Sequence, residues 1–168
     1  SAIAALNASS RGTSAKMTDH ILDADVDRTG EMLVTGQRDG HVRIWNVNTG
    51  ALLHERRIHR SKAFSVEFSP LSNVVFSGGF EKTLYAWNFI ENTLSEVTQK
   101  NGNITEIEAA TDAPRIAFLT STKQITVWDL ETNGPVGRPV SGHSIYHDNS
   151  FAIDPTGTRV AVRTENSI

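Results

Sequence analysis

The chain contains no cysteine. That excludes a disulfide framework, a thiolate nucleophile and any metal site built on sulfur, and it fits a reducing compartment. No apolar run approaches the roughly 18 residues of a membrane-spanning helix. The opening SAIAALNASSRGTSAK has a short apolar tract with no basic residue ahead of it, unlike a secretory leader. Charge of one sign is also lacking: sixteen Lys and Arg stand against nineteen Asp and Glu, a net charge of −3. So mild a balance gives no global pull toward nucleic acid or an anionic membrane, and any such binding needs a local patch. Phosphate-cradling loops are missing too, since neither a Gly-Lys-Ser/Thr loop nor a Gly-x-Gly-x-x-Gly is present. Helical periodicity is nearly absent as well, and EIEAATDA (106–113) is the one short stretch that hints at a helix.

What is present is strand after short strand. EMLVTG (31–36), HVRIWNV (41–47), AFSVEFS (63–69), NVVFSGG (73–79), TLYAWNF (83–89), RIAFLTS (115–121), QITVWDL (124–130) and TRVAVRT (158–164) are rich in β-branched and aromatic residues. Turn signals separate them: RTG, RDG, NTG, SPLSN, DAP, ETNGP and DPTG. The chain reads as all-β. It is also periodic, because Trp45, Trp87 and Trp128 lie 42 and 41 positions apart in similar surroundings. Trp45 and Trp87 follow strands closing on Thr35-Gly36 and Ser77-Gly78 and then a tight turn, and each of the three tryptophans precedes Asn or Asp and a further turn. A period near 42 with four strands per unit marks the blade of a propeller.

The residues Asp39-Gly40…Trp45-Asn46, Trp87-Asn88, Trp128-Asp129 and Gly142-His143 resemble the WD-repeat β-propeller family over essentially the whole chain. The resemblance implies a segment of four-stranded antiparallel blades belonging to a seven- or eight-bladed ring. Residues 1–16 supply an outer strand; 17–58, 59–99 and 100–142 form three blades; 143–168 supply the inner strands of a further one. In that family a loop His, a strand Ser or Thr, a turn Asp and the Trp form a polar relay. Carried over, the middle unit has His59, Ser77, Glu81 and Trp87. The first has Thr35, Asp39 and Trp45, with Met17 at the His position. The third has Trp128 and His143 follows it, with Thr122 in place of Asp and Phe118 in place of Ser or Thr.

The resemblance further implies a non-catalytic, intracellular scaffold, cytoplasmic or nuclear, that binds protein partners and no cofactor. The expected docking face comprises His20, Arg38, Lys62, Phe64, Phe80, Tyr146 and His147. A second reading rests on the basic cluster HERRIHRSK, where Arg56, Arg57, Arg60 and Lys62 would contact phosphate on RNA. No membrane partner is expected, and self-association to complete a ring is a further expectation.

Three other patterns are weaker than the structural roles they compete with. Asp23, Asp25 and Asp27 are spaced like the start of a calcium loop, but Arg28 stands where the turn glycine belongs and Val34 where the closing Glu belongs. His54 and His59 sit one residue too far apart for a zinc-protease helix, on a segment that reads as strand. Ser141, His143, His147 and Asp148 are close in sequence without a nucleophile elbow or oxyanion glycines.

Overall fold

A computed structural model describes residues 20–141 and 151–163. Fifteen strands alternate with turns, and the described residues contain no helix. The first sheet is a meander of β1 (Ile21–Val26), β2 (Met32–Gln37), β3 (His41–Asn46) and β4 (Leu52–Arg57). The second repeats it with β5 (Ala63–Phe68), β6 (Val74–Gly79), β7 (Thr83–Asn88) and β8 (Thr93–Gln99). In the third, β9 (Ile104–Ala109), β10 (Arg115–Thr120) and β11 (Gln124–Asp129) are followed by two short pieces, β12 (Gly134–Pro135) and β13 (Val140–Ser141), which both pair with β11. A two-stranded piece of β14 (Phe151–Ile153) and β15 (Val160–Val162) follows. All neighbouring strands within these sheets run antiparallel.

The helical hint at EIEAATDA is overturned, because Ile104–Ala109 forms the strand β9, paired with β10. Ile104 and Ile107 are buried against the second sheet, and that packing outweighs the weak local preference of Glu and Ala for helix.

Burial explains why both faces of the central strands are apolar. Val34, Val42 and Ile44 of the first sheet pack on Val66, Phe68, Val75 and Trp87 of the second. Phe76 and Leu84, on the opposite face of the second sheet, pack on Ile104, Ile107, Ile116, Phe118 and Trp128 of the third. Ala117, Leu119 and Ile125 then receive Phe151. Each central strand therefore alternates between two neighbours rather than between core and water, whereas β1 and the outer strand β4 leave every second side chain exposed. Each such large side chain withdrawn from water contributes about 1.5–3 kcal/mol.

The polar residue after each Trp belongs to a turn. Asn46 Oδ1 accepts from the N–H groups of Asn48 and Thr49, Asn88 Oδ1 from those of Ile90 and Glu91, and Asp129 Oδ1 from those of Glu131 and Thr132. The tight turn between β2 and β3 needs its glycine. Gly40 has φ +84°, and a Cβ there would lie 2.2 Å from the His59 carbonyl oxygen.

The inner strands β1, β5 and β9 are joined by side chains rather than by a backbone ladder. Asp23 Oδ2 accepts from the Ser65 hydroxyl and the Val66 N–H, and Asp25 Oδ2 from the Phe68 N–H. One sheet further on, Ser65 Oγ accepts from the Ile107 N–H and Glu67 Oε1 from the Ala109 N–H. These bonds satisfy donors on an otherwise unpaired strand edge. They also dispose of the calcium-loop reading: Asp23 and Asp25 clasp the next sheet, while Asp27 caps its own turn through the Thr29 hydroxyl and the Met32 N–H.

Candidate docking face

The meanders place loops 38–40, 58–62, 80–82, 100–103 and 121–123 at one end of the stack, which we call the upper end. Backbone bonds tie them together: Arg38 N–H to His20 O, Ile58 and His59 N–H to Gly40 O, Lys100 N–H to Lys82 O, and Ser121 N–H to Asn103 O. Several expected docking residues meet here. Phe64 occupies a β-bulge in β5, where the register with β6 shifts between Ala63 and Ser65. The bulge turns its ring out of the ladder toward Phe80, with centroids 4.7 Å apart and planes inclined by 49°. The Lys62 ammonium stands 5.8 Å from the Phe64 ring centroid and 5.6 Å from that of Phe80. Phe64 is half-buried, while Phe80 is 43% exposed. His20 and Arg38 are exposed at the same end. Tyr146, His147 and the relay residue His143 lie outside the described residues.

Matching bulges occur near the starts of β1 and β9. In β1 the bulged residue is Leu22, an apolar side chain 40% exposed. Sequence reasoning missed it, because a lone leucine before an acidic strand carries no signal until the bulge aims it outward.

Beneath this surface, the His59 ring is buried. Its Nδ1 lies 2.8 Å from Glu81 Oε2 and its Nε2 lies 2.7 Å from Ser77 Oγ. A carboxylate only accepts, so Nδ1 carries the hydrogen and Nε2 accepts from the serine hydroxyl. Burial holds the imidazole below its usual pKa, outweighing the opposing pull of Glu81. Burial pushes the Glu81 carboxyl up, but the hydrogen bonds from His59 and the backbone prevail and hold it below the usual range. Glu81 Oε1 also accepts from the Arg60 N–H at 2.6 Å and the Ser61 N–H at 3.3 Å, fixing the loop that carries Lys62.

The indole of Trp87 does not join this network. It donates to Asn92 Oδ1 at 3.2 Å, and the expected link to Ser77 is corrected accordingly. In the first sheet the Trp45 indole donates to Thr35 Oγ1 at 3.0 Å. Asp39 instead accepts from the His41 N–H and lies 3.4 Å from the Arg43 guanidinium. In the third sheet Phe118 removes the acceptor, and the buried Trp128 indole nitrogen has no partner among the described residues. Thr122 pairs its hydroxyl with Thr120 and reaches the Asn101 carbonyl, doing locally what a turn carboxylate would do.

The basic cluster is partly committed to structure. The Arg56 guanidinium donates to the Asn92 carbonyl and side chain, bridging the first two sheets, and Arg57 donates to the Arg60 carbonyl at 3.2 Å. His54 lies on strand β4, and its ring leans against Phe89 at 5.4 Å. No group of three or more His, Cys, Asp or Glu able to hold a metal occurs among the described residues. Nor is any helix among them long and apolar enough to cross a membrane.

Four-stranded antiparallel meanders, stacked face to face with a tryptophan on the third strand, define a β-propeller segment. The profile described as "WD40: WD domain, G-beta repeat" matches residues 12–46 and 50–88. "Periodic tryptophan protein 2 homolog" from Neurospora crassa is 30% identical over 141 residues, covering 80% of this chain and 16% of that protein. "SIR4-interacting protein SIF2" from Saccharomyces cerevisiae is 34% identical over 84 residues, half of this chain and 16% of that one. Among solved structures, "Structure of U3-55K" superposes with a TM-score of 0.70 at 17% identity, over 84% of this chain and 44% of that one. These matches make the chain similar to WD-repeat proteins, with the repeats themselves recognised over residues 12–46 and 50–88, and it spans about one-sixth of the length of these two curated relatives.

Proposed function

We infer that this segment is a non-catalytic scaffold that holds protein partners against its upper loops within a larger complex. The observation that carries the reading is the Lys62–Phe64–Phe80 cluster, in which an exposed ring is braced by a second ring and an ammonium. An aromatic already fixed by its neighbours loses little side-chain entropy when a partner covers it. Arg38 and His20 stand at the same end. The loop bearing Lys62 is bonded at both Arg60 and Ser61 to Glu81, so the surface is preorganised. One relative carries a name that denotes interaction with another protein, which agrees with this role.

The test is co-purification with the full-length protein that carries this segment. Arg38→Glu combined with Phe80→Ser should abolish recovery of its partners. Leu71→Ser with Ile90→Ser, two exposed apolar residues at the opposite end, should leave recovery intact. Partners lost only with the second pair would move the docking face to the other end.

A further inference from the structure

The two ends of the stack carry opposite charge. Among the described residues, the upper loops hold six basic residues, Arg38, Arg60, Lys62, Lys82, Lys100 and Lys123, against two acids, Asp39 and Glu81. At the lower end, loops 27–31, 47–51, 69–73, 89–92, 110–114, 130–133 and 154–159 invert the balance. There Asp27, Glu31, Glu91, Asp112, Glu131 and Asp154 face only Arg28 and Arg159. The net charge of −3 hides this polarity completely. The two upper acids are moreover turned into their own loops: Asp39 accepts from the His41 N–H, and Glu81 from His59, Arg60 and Ser61. The potential above this end is therefore positive and steers anionic partners toward it.

We propose that the upper rim binds an acidic protein segment with apolar side chains, lying across Leu22, Phe64 and Phe80 while its carboxylates meet the surrounding Lys and Arg. The proposal rests on the docking face assigned above and names the chemistry of its partner. Charge complementarity selects an anion, and the exposed apolar residues select a peptide. Leu22 and Phe80 are 40% and 43% exposed at the same end as the cations, where purely electrostatic binding would have no use for them. Nucleic acid is the competing polyanion, and it binds aromatic residues by stacking bases on free ring faces. Here the two rings lean on each other at 49° under one ammonium, so they present edges and no parallel slot for a base.

The segment lies over the rim rather than entering the space bordered by the inner strands. Asp23, Asp25 and Glu106 lie on those strands, and their carboxylates would repel those of the segment. The lower end cannot substitute as a site, because its charge has the wrong sign.

The experiment selects short random peptides from a displayed library against the intact protein containing this chain, then measures the enriched peptides and a single-stranded RNA oligonucleotide by fluorescence anisotropy. Enriched sequences should be acidic with one or two Leu, Phe or Trp. Their binding should weaken about tenfold on raising salt from low to physiological strength. Lys62→Glu with Lys82→Glu should weaken it at least as much, Leu22→Ser should weaken it at constant salt slope, and Glu31→Lys with Glu91→Lys should leave it unchanged. RNA binding tighter than the peptides would overturn the proposal. Neutral or basic peptides that compete at Phe80 would also overturn it while leaving the scaffold role standing. Binders indifferent to Phe80→Ser and Leu22→Ser would overturn both.

Discussion

The second and third sheets share strand order, a buried tryptophan and a tight turn, yet their upper ends are held differently. In the second, a buried histidine links a strand serine to a turn carboxylate. In the third, a threonine pair and one carbonyl contact replace that network, and Phe118 fills the space with hydrocarbon. The Lys100 ammonium lies 4.9 Å from the Trp128 ring centroid and 5.9 Å from that of Phe118. Stacking, then, is enough to hold a blade. The polar relay adds a fixed loop, and it fixes the loop that presents Lys62.

Room for the relay is made one residue beyond the strand glycine. Gly79 sits where the first sheet has Gln37 and the third has Thr120, each eight positions before its tryptophan. A Cβ on Gly79 would lie 2.5 Å from His59 Nδ1 and 2.5 Å from the Lys62 carbonyl. The first sheet shows the alternative: Gln37 is fully buried there, with no partner among the described residues for either side-chain polar atom. A residue that fills the site in one unit would expel the histidine in another.

The largest expected effect comes from closing that space. Gly79→Val should cost about 3 kcal/mol, read from the urea midpoint, because neither the ring nor the backbone oxygen can yield. Thr120→Ala at the corresponding place should cost about 1 kcal/mol. Next, His59→Ala should cost about 2–3 kcal/mol by leaving Ser77 and Glu81 unpaired, and should raise hydrogen exchange at Arg60 and Ser61. Asn101→Ala, at the carbonyl contact that stands in for the relay in the third sheet, keeps the oxygen that Thr122 uses and should cost under about 0.5 kcal/mol. Equal losses at the two places would erase the distinction between the sheets.

Smaller effects sharpen the comparison. Trp45→Phe forfeits the bond to Thr35, whereas Trp128→Phe removes a donor that has no acceptor among the described residues. The first should therefore be more damaging than the second by about 1 kcal/mol in thermal unfolding.

The smallest effect is a slope with pH. Burial and the neighbouring Asp25 charge push the Glu67 carboxyl up to about 9. The folded chain thus retains a proton there that the unfolded chain releases near the ordinary value of 4.5. Its contribution is complete below about pH 4.5 and is lost as pH rises toward 9. Glu67→Gln, which keeps an acceptor for the Ala109 N–H, should flatten the alkaline limb of the stability profile. His59 works in the opposite sense. Held neutral by burial, it costs stability as pH falls below the ordinary imidazole value of 6.5. His59→Gln should flatten the acidic limb.

Much of this architecture could be read directly. The tryptophan period, the alternating apolar strands and the Asn or Asp after each tryptophan are local signals, and each maps onto a strand or a capped turn in the structure. The docking residues were legible only through family resemblance, since Phe64 and Phe80 are sixteen positions apart and nothing in their spacing brings the rings together. One assignment failed and one short hint was overturned. The hint of helix over β9 came from its glutamates, which are good helix formers, and packing against the second sheet holds the strand. Trp87 was joined to Ser77 because its repeat position suggested it, but its indole donates to Asn92, which also takes the Arg56 guanidinium.

By itself, the amino-acid order determined the strands, their turns and the repeat, because those follow from φ/ψ preference and a two-residue alternation within a few neighbours. Only the tertiary stack decided which polar groups clasp across sheets, that the bulges at Leu22 and Phe64 turn apolar side chains outward, and that basic loops gather at one end and acidic loops at the other. These depend on residues some forty positions apart being brought edge to edge, and antiparallel strands send successive turns to alternate ends.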